Sequence, residues 1–185
     1  LLVDLSLFYN DYDELRSPEI IASRATSPLP TFIVKSDNQL YGKTYGLELA
    51  TTWQVRETWK LIGTYSFLGM NLHLKAGSHS ILGTSEEGDT PKHQANVRSW
   101  WSLPYHTEVD TALYYVGNIP NQHTDSYLRV DARFGWQPAR YFELSVGVRN
   151  LFDNQHREFG SGISGGVVMA DELQRVFYVQ FKYRF

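Results

Sequence analysis

Five side chains in polar, loop-like stretches have the chemistry to hold a ligand. Arg16, Arg24 and Arg157 present guanidinium forks, and Tyr12 and Tyr127 present rings with a polar tip. Such groups can hold an anionic chelate, the arginines through charge-assisted hydrogen bonds and the tyrosines by stacking. Polar loops carry the same residue types without any ligand, so each of the five also has a plain surface reading. His73, His79, His93, His123 and His156 fall in or near such stretches, with Glu86, Glu87 and Asp89 close after His79. A transition-metal site needs three or four of these to converge, and their spacing follows no known ligand pattern. Solvated loop residues are the simpler reading, and neither a metal site nor a cofactor is expected.

Catalysis finds no support. Ser161, Ser164 and Gly165-Gly166 lack the strand–turn–helix context of a nucleophile elbow. Glu86 and Glu87 are adjacent, so their carboxyls point apart and cannot work as a positioned acid–base pair. The absence of cysteine removes thiolate nucleophiles, thiolate metal sites and disulfides. A net charge of −3 indicates no polyanionic partner, which argues against nucleic acid. The chain is not expected to be an enzyme.

The elements that must position these groups are strands. Over 175–185, Phe177, Val179, Phe181, Tyr183 and Phe185 alternate with Val176, Tyr178, Gln180, Lys182 and Arg184. Side chains leave a pleated backbone on opposite sides in turn, so this period of two marks a strand. Seven further segments read the same way, at 1–12, 41–54 (with a beginning near Phe32), 59–67, 92–103, 108–118, 126–137 and from 142 onward. The stretches 13–30, 75–90, 119–125 and 153–173 read as loops, and 55–58, 104–107 and 138–140 as tight turns. Asn150, where the seventh segment ends, is expected to satisfy backbone groups as the chain leaves the ladder. No run of about 18 apolar residues occurs, so a transmembrane helix is excluded.

Short and long connections alternate along the chain, the asymmetry of outer-membrane barrels. Trp53, Trp59, Trp101, Trp136, Phe142 and Phe185 share the apolar face close to the short-turn rim. Amphipathic aromatic rings gathered at one level mark a membrane–water interface, whereas a soluble core has no reason to sort its Trp residues to one rim. Tyr9, Phe67, Tyr115 and Phe177 form a weaker band toward the long loops. The other face carries mixed charge, including Asp4, Glu48, Lys60, Arg98, Glu108, Asp110, Arg129, Asp131, Arg133, Glu143, Arg149, Lys182 and Arg184, suited to a salt-bridged lumen. The expected fold is all-β, an antiparallel up-and-down transmembrane β-barrel segment of about eight strands. A self-contained eight-stranded barrel and a soluble β-sandwich are the alternatives. Since 1–9 already alternates, the chain reads as a piece of something longer.

Leu144-Ser-Val-Gly-Val-Arg-Asn-Leu-Phe-Asp-Asn154, then a loop and a strand ending in Phe185, resembles the C-terminal end of TonB-dependent outer-membrane receptors. Phe8-Tyr-Asn-Asp-Tyr12, Tyr45-Gly-Leu-Glu48 and Tyr65-Ser-Phe67 agree in order and spacing, so the resemblance covers essentially the whole chain. It implies a 22-stranded barrel in the bacterial outer membrane, plugged by an N-terminal domain and driven through TonB. This chain would supply the last eight strands, without the plug. The resemblance also implies that Phe181, Tyr183 and Phe185 form the signal read by the outer-membrane assembly machinery. The implied cargo is a small-molecule metal chelate, a ferric siderophore by default, with Tyr12, Arg16, Arg24, Tyr127 and Arg157 as candidate contacts. Cobalamin and glycans are the other cargoes of the same transport reading.

Overall fold

The computed structural model describes residues 1–25, 29–153, 155–158, 160 and 172–185. Its strands are β1 (Leu2–Arg24), β2 (Thr31–Arg56), β3 (Trp59–Leu74), β4 (His93–Leu103), β5 (Thr107–Val116), β6 (Tyr127–Ala139), β7 (Phe142–Arg149), the short β8 (Gln155–Arg157) and β9 (Glu172–Gln174), and β10 (Val176–Tyr183). Eight form one antiparallel sheet in the order β1-β2-β3-β4-β5-β6-β7-β10, and β8 pairs with β9. Within the sheet β1 pairs only with β2, and β10 only with β7, among the described residues. A self-contained barrel needs those two edges to meet, and a sandwich needs a second large sheet.

Register keeps like with like. Leu5, Leu49, Tyr65, Ala95, Tyr115 and Leu128 lie opposite one another across six strands. On the other face Ala50, Thr64, Asn96, Tyr114 and Arg129 form a matching row. A slip of one residue would turn every side chain of a strand to the wrong face. Among the described residues the only buried apolar side chains are Leu40, Leu72, Ala112 and Ile119. Leu5, Leu7, Trp53, Val97, Leu113, Phe134, Val146 and Val179 stay exposed on the apolar face. A sheet with so little core and so wide an apolar surface is built to lie against hydrocarbon.

The aromatic rim follows the geometry of tilted strands. Trp53 lies in one ladder row with Leu61, Ser99, Thr111, Ala132 and Val148. On β7 the rim residue is Phe142, six residues beyond Val148. That is about 20 Å along the strand over five strand spacings of about 4.8 Å, which gives a tilt of about 40°. The upper band, from Tyr45 on β2 to Phe177 on β10, drifts in the same sense. The two girdles are therefore parallel, and eight residues of β2 between Tyr45 and Trp53 span about 21 Å of depth at that tilt. Outer-membrane barrels show an apolar band about 25 Å tall and tilts of about 35–45°.

Several boundaries differ from the sequence expectation. Residues 13–24 are not a loop: β1 and β2 remain paired up to Arg24 and Thr31. A bulge between Tyr12 and Leu15 absorbs Glu14, whose φ is 59°, and others follow between Leu15 and Ser17 and between Ile20 and Ala22. The proline at position 18 stays in register with Ser36 because its backbone polar side faces away from β2, where no ladder N–H is required. The turns 55–58 and 138–140 are tighter than expected, with Glu57-Thr58 and Arg140-Tyr141 alone outside the strands. Pro138 fits inside β6 because it falls at the bulge between Trp136 and Ala139, where no ladder N–H is required. The stretch 153–173 contributes β8 and the start of β9, and Phe185 lies beyond the end of β10.

An arginine placed in the middle of the apolar face should cost far more than one at its rim. Val97→Arg is expected to destabilise the full-length protein by about 2–4 kcal/mol, and Leu103→Arg by about 0–1 kcal/mol, in equilibrium unfolding from lipid vesicles. Equal costs at the two positions would remove the membrane assignment of this face.

Candidate functional site

The polar face is a wall of paired charges. Arg133 on β6 hydrogen-bonds Glu108 on β5 and reaches Glu143 Oε1 on β7 at 2.6 Å. Lys182 on β10 stands 4.0 Å from the other oxygen of Glu143. Arg98 forks onto Asp110, with Nε donating at 2.8 Å and Nη2 also bonded. Trp100 donates its indole N–H to Glu108 at 3.3 Å, and the Lys60 ammonium lies 4.7 Å from the Trp100 ring centre. Arg129 sits over Tyr114 at 4.4 Å and pairs with Asp131 and Glu158. Arg149 covers Tyr178 at 5.6 Å, whose ring occupies the space a side chain at Gly147 would need. These pairs tie neighbouring strands side to side, and each cation compensates a carboxylate or covers an aromatic face.

Asn150 closes the upper end of this wall. It is 2% exposed and takes a left-handed φ of 58°, a conformation Asn tolerates better than most residues. Its N–H donates to Asp131 Oδ1 at 3.1 Å, its amide donates to the Leu173 carbonyl at 3.3 Å, and its own carbonyl accepts from Arg175 Nε at 3.2 Å. The residue thus joins the ends of three chain segments by backbone contacts.

Above the wall the loops fold together. The 75–92 loop is pinned where Lys75 N–H donates to the Gln39 carbonyl at 2.8 Å and Lys75 Nζ pairs with Asp13 at 2.8 Å. Farther along, a 3₁₀ turn, Ser85–Gly88, places Glu87 to accept the Leu72 N–H, a donor on the β3 edge beyond the reach of β4. The 117–126 loop contributes another 3₁₀ turn, Pro120–Gln122, and Asn121 donates its side-chain amide to the Ser85 carbonyl. Between the two turns lies an open cleft of about 1080 Å³, walled by Ile81 and Leu82 and by Glu86, Asp89, Lys92 and His123. That volume lies at the upper end of the range for ligand clefts.

The sequence-predicted contacts are spread over this end of the sheet. Tyr12 and Arg16 lie on β1, where Arg16 Nε donates to Ser36 Oγ at 2.9 Å, and Arg24 ends the strand. Tyr127 opens β6, and Arg157 on β8 is paired with Glu172 at 3.3 Å. None of the five lines the cleft. Of the histidines, His73 packs on Tyr41 and His93 bonds the Tyr65 hydroxyl at 2.8 Å, while His79 and His123 belong to the loops. Ser161, Ser164 and Gly165-Gly166 lie outside the described residues. Sequence reasoning missed Ser17, Glu19 and Ser78, which come together only because 13–24 continues as strand β1. Glu19 accepts hydrogen bonds from the Ser78 hydroxyl and the His79 N–H. The one signal available was a carboxylate beside a proline in a stretch rich enough in β-branched residues to stay extended.

Comparison with known proteins agrees with this architecture. Residues 1–151 match the family described as TonB dependent receptor-like, beta-barrel. The fold is similar to that of the ferric-catecholate import receptor Fiu of E. coli K12, with a TM-score of 0.70 and 18% identity over 99% of this chain and 25% of that one. It is also similar to the siderophore receptor PiuA of Acinetobacter baumannii, with a TM-score of 0.72 and 17% identity over 98% of this chain and 26% of that one. The copper transporter OprC matches with a TM-score of 0.66 and 14% identity over 99% of this chain and 29% of that one. At these identities the likeness is one of fold, and the chain spans about a quarter of the length of the structures it matches. No curated protein matches it in sequence.

Two measurements probe the wall and the mouth separately. Arg133→Met takes the shared cation from Glu108 and Glu143, leaving them only Trp100 and the more distant Lys182, and is expected to cost about 1–3 kcal/mol in unfolding from vesicles. Arg133→Lys should recover only part of that, because a point charge cannot bridge Glu108 and Glu143 as a fork does. At the mouth, the hydrogen bond from Lys75 holds Asp13 below the ordinary carboxylate range and Lys75 above its own, while the Ser17 hydroxyl, the His79 N–H and the Ser78 hydroxyl hold Glu19 down. Lowered carboxylates stabilise the mouth above the ordinary range and lose that effect as pH falls through their depressed values. The raised lysine keeps its effect below the ordinary lysine range and loses it as pH rises through its elevated value. Limited proteolysis within 75–92 should therefore rise at both pH extremes with the wall intact, and a flat profile would refute these assignments.

Proposed function

This chain belongs to the TonB-dependent receptor-like β-barrel family, and on that footing we propose that it forms the C-terminal wall of an outer-membrane receptor importing a ferric siderophore. The observation that carries the reading is a sheet with one lipid-facing surface and one ion-paired surface, topped by a cleft of a size to take a bulky chelate. Loops and plug bind the cargo, the wall keeps lipid and lumen apart, and TonB acts on the plug, which lies outside this chain. Phe181, Tyr183 and Phe185, all on the lipid-facing phase, are offered to the assembly machinery when the barrel is built.

The wall contributes by staying still. Lys60, Arg98, Arg129, Arg133, Arg149 and Lys182 are engaged with carboxylates or aromatic rings, so a solute moving past them meets neutralised charge and is not trapped. Glu86, Glu87 and Asp89 outnumber Lys92 in the cleft, which favours a chelate without net negative charge over a polyanionic one. The candidate contacts Tyr12, Arg16, Arg24, Tyr127 and Arg157 stand outside the cleft lining, on β1, β6 and β8, and would meet cargo elsewhere at this end of the sheet.

A deletion strain supplied with single iron sources decides the cargo. Growth is expected to fail on at least one ferric siderophore and to return when the full-length gene is restored, with hydroxamate chelates affected more than anionic catecholates. Normal growth on every ferric chelate, with a defect on cobalamin or a glycan instead, would refute the siderophore reading and leave the barrel assignment standing.

A further inference from the structure

We propose that residues 78–81 are a releasable strap, fastened across the outer side of β1 by Glu19, and that its release moves one wall of the loop cleft. The strap lies antiparallel to β1 as an isolated bridge between Glu19 and Ser80. Two backbone hydrogen bonds hold it, from Ile20 N–H to the His79 carbonyl at 3.1 Å and from Ile81 N–H to the Pro18 carbonyl at 3.2 Å. A strand edge carries open donors and acceptors that pair with whatever extended segment reaches them. Here the chain fills that edge with its own loop, which leaves β3 and passes β2 to get there.

The main fastener is a single side chain. Glu19 is 7% exposed, yet its carboxylate is met by neutral donors, the Ser78 hydroxyl at 2.9 and 3.1 Å and the His79 N–H. Among the described residues it has no ion pair. Withdrawing the strap breaks all of these bonds together and returns the carboxylate to water, which solvates it well. A buried carboxylate satisfied only by neutral groups is therefore a closure that opens at modest cost, unlike the forked Arg–carboxylate pairs of the wall. Ile81, the last residue of the strap, and Leu82 after it line the cleft. Strap and cleft wall are thus one continuous piece of chain, and peeling the strap off β1 must displace that wall. Ligand-binding loops are drawn from the least stable parts of a fold for this reason.

The strap's release stands on its own geometry, and its role in gating cargo rests on the transport reading. Hydrogen exchange on the full-length receptor in vesicles tests the release. The 76–82 segment is expected to exchange at least about 100-fold faster than the β3–β4 ladder, and Glu19→Ala to accelerate it about tenfold more without changing that ladder. Strap amides as protected as the ladder, no response to Glu19→Ala, or equal loosening of both would overturn the proposal. Glu19 and Ser80 face each other between the two hydrogen bonds, a pair whose side chains approach closely, so Glu19→Cys with Ser80→Cys can lock the strap. The oxidised receptor should slow strap exchange to ladder rates and lose at least about tenfold in uptake of an iron-55-labelled ferric siderophore, with reductant restoring both. Equal uptake in the oxidised and reduced forms would overturn the gating role. A reduced form that exchanges as expected but imports no ferric siderophore would overturn the transport reading and confirm the strap.

Discussion

Inside hydrocarbon no water is available to an unpaired N–H or C=O, and that constraint governs the whole structure. It requires an unbroken ladder from β1 to β10, which in turn fixes the register. Register then decides everything that depends on face. Leu49, Tyr65, Ala95 and Tyr115 reach lipid, and Ala50, Thr64, Asn96 and Tyr114 reach the lumen, because the ladder admits no slip. The girdles stay level only because the strands tilt, so the stepwise drift from Trp53 to Phe142 across the ladder expresses the same requirement.

A wall built this way has a difficulty on its polar side, where many charged side chains share a narrow space. Pairing resolves it. Arg133 between Glu108 and Glu143, with Lys182 beyond, gains little net energy from attraction, since the desolvation of partly buried charges offsets most of it. What the arrangement avoids is the cost of leaving a carboxylate without a partner. Lys60 on Trp100, Arg129 on Tyr114 and Arg149 on Tyr178 occupy cations that would otherwise attract an anionic solute.

Rigidity ends where the lipid ends. Within the band every strand is flanked on both sides except at the two sheet edges. Above it, β1 and β2 continue as a bulged pair whose outer side, among the described residues of this chain, is met by residues 78–81. The contrast between a many-stranded ladder below and two backbone bonds above gives a receptor a fixed wall and a mouth that can move. The cleft between the Ser85–Gly88 and Pro120–Gln122 turns belongs to that softer level.

The sequence by itself determined the eight lipid-crossing strands, their faces, the aromatic rims and the charged lumen. Each of these follows from a period-two pattern that hydrocarbon on one side imposes directly on residue type. Where that contrast stops, the pattern stops too, although the backbone pairing continues. The extension of β1 past Tyr12 therefore read as a loop, although a bulge absorbs Glu14 and Pro18 stays in register with Ser36 on the outermost strand. Only the tertiary structure could bring Glu19 to Ser78, or Asn121 to Ser85, because those contacts join segments far apart in the chain without any repeating pattern. Tyr12, Arg16, Arg24, Tyr127 and Arg157 read as loop residues in the sequence, but strand pairing places them on β1, β6 and β8. Asn150 was legible in both respects, since a polar residue ending a strand has backbone groups to satisfy wherever the rest of the chain lies.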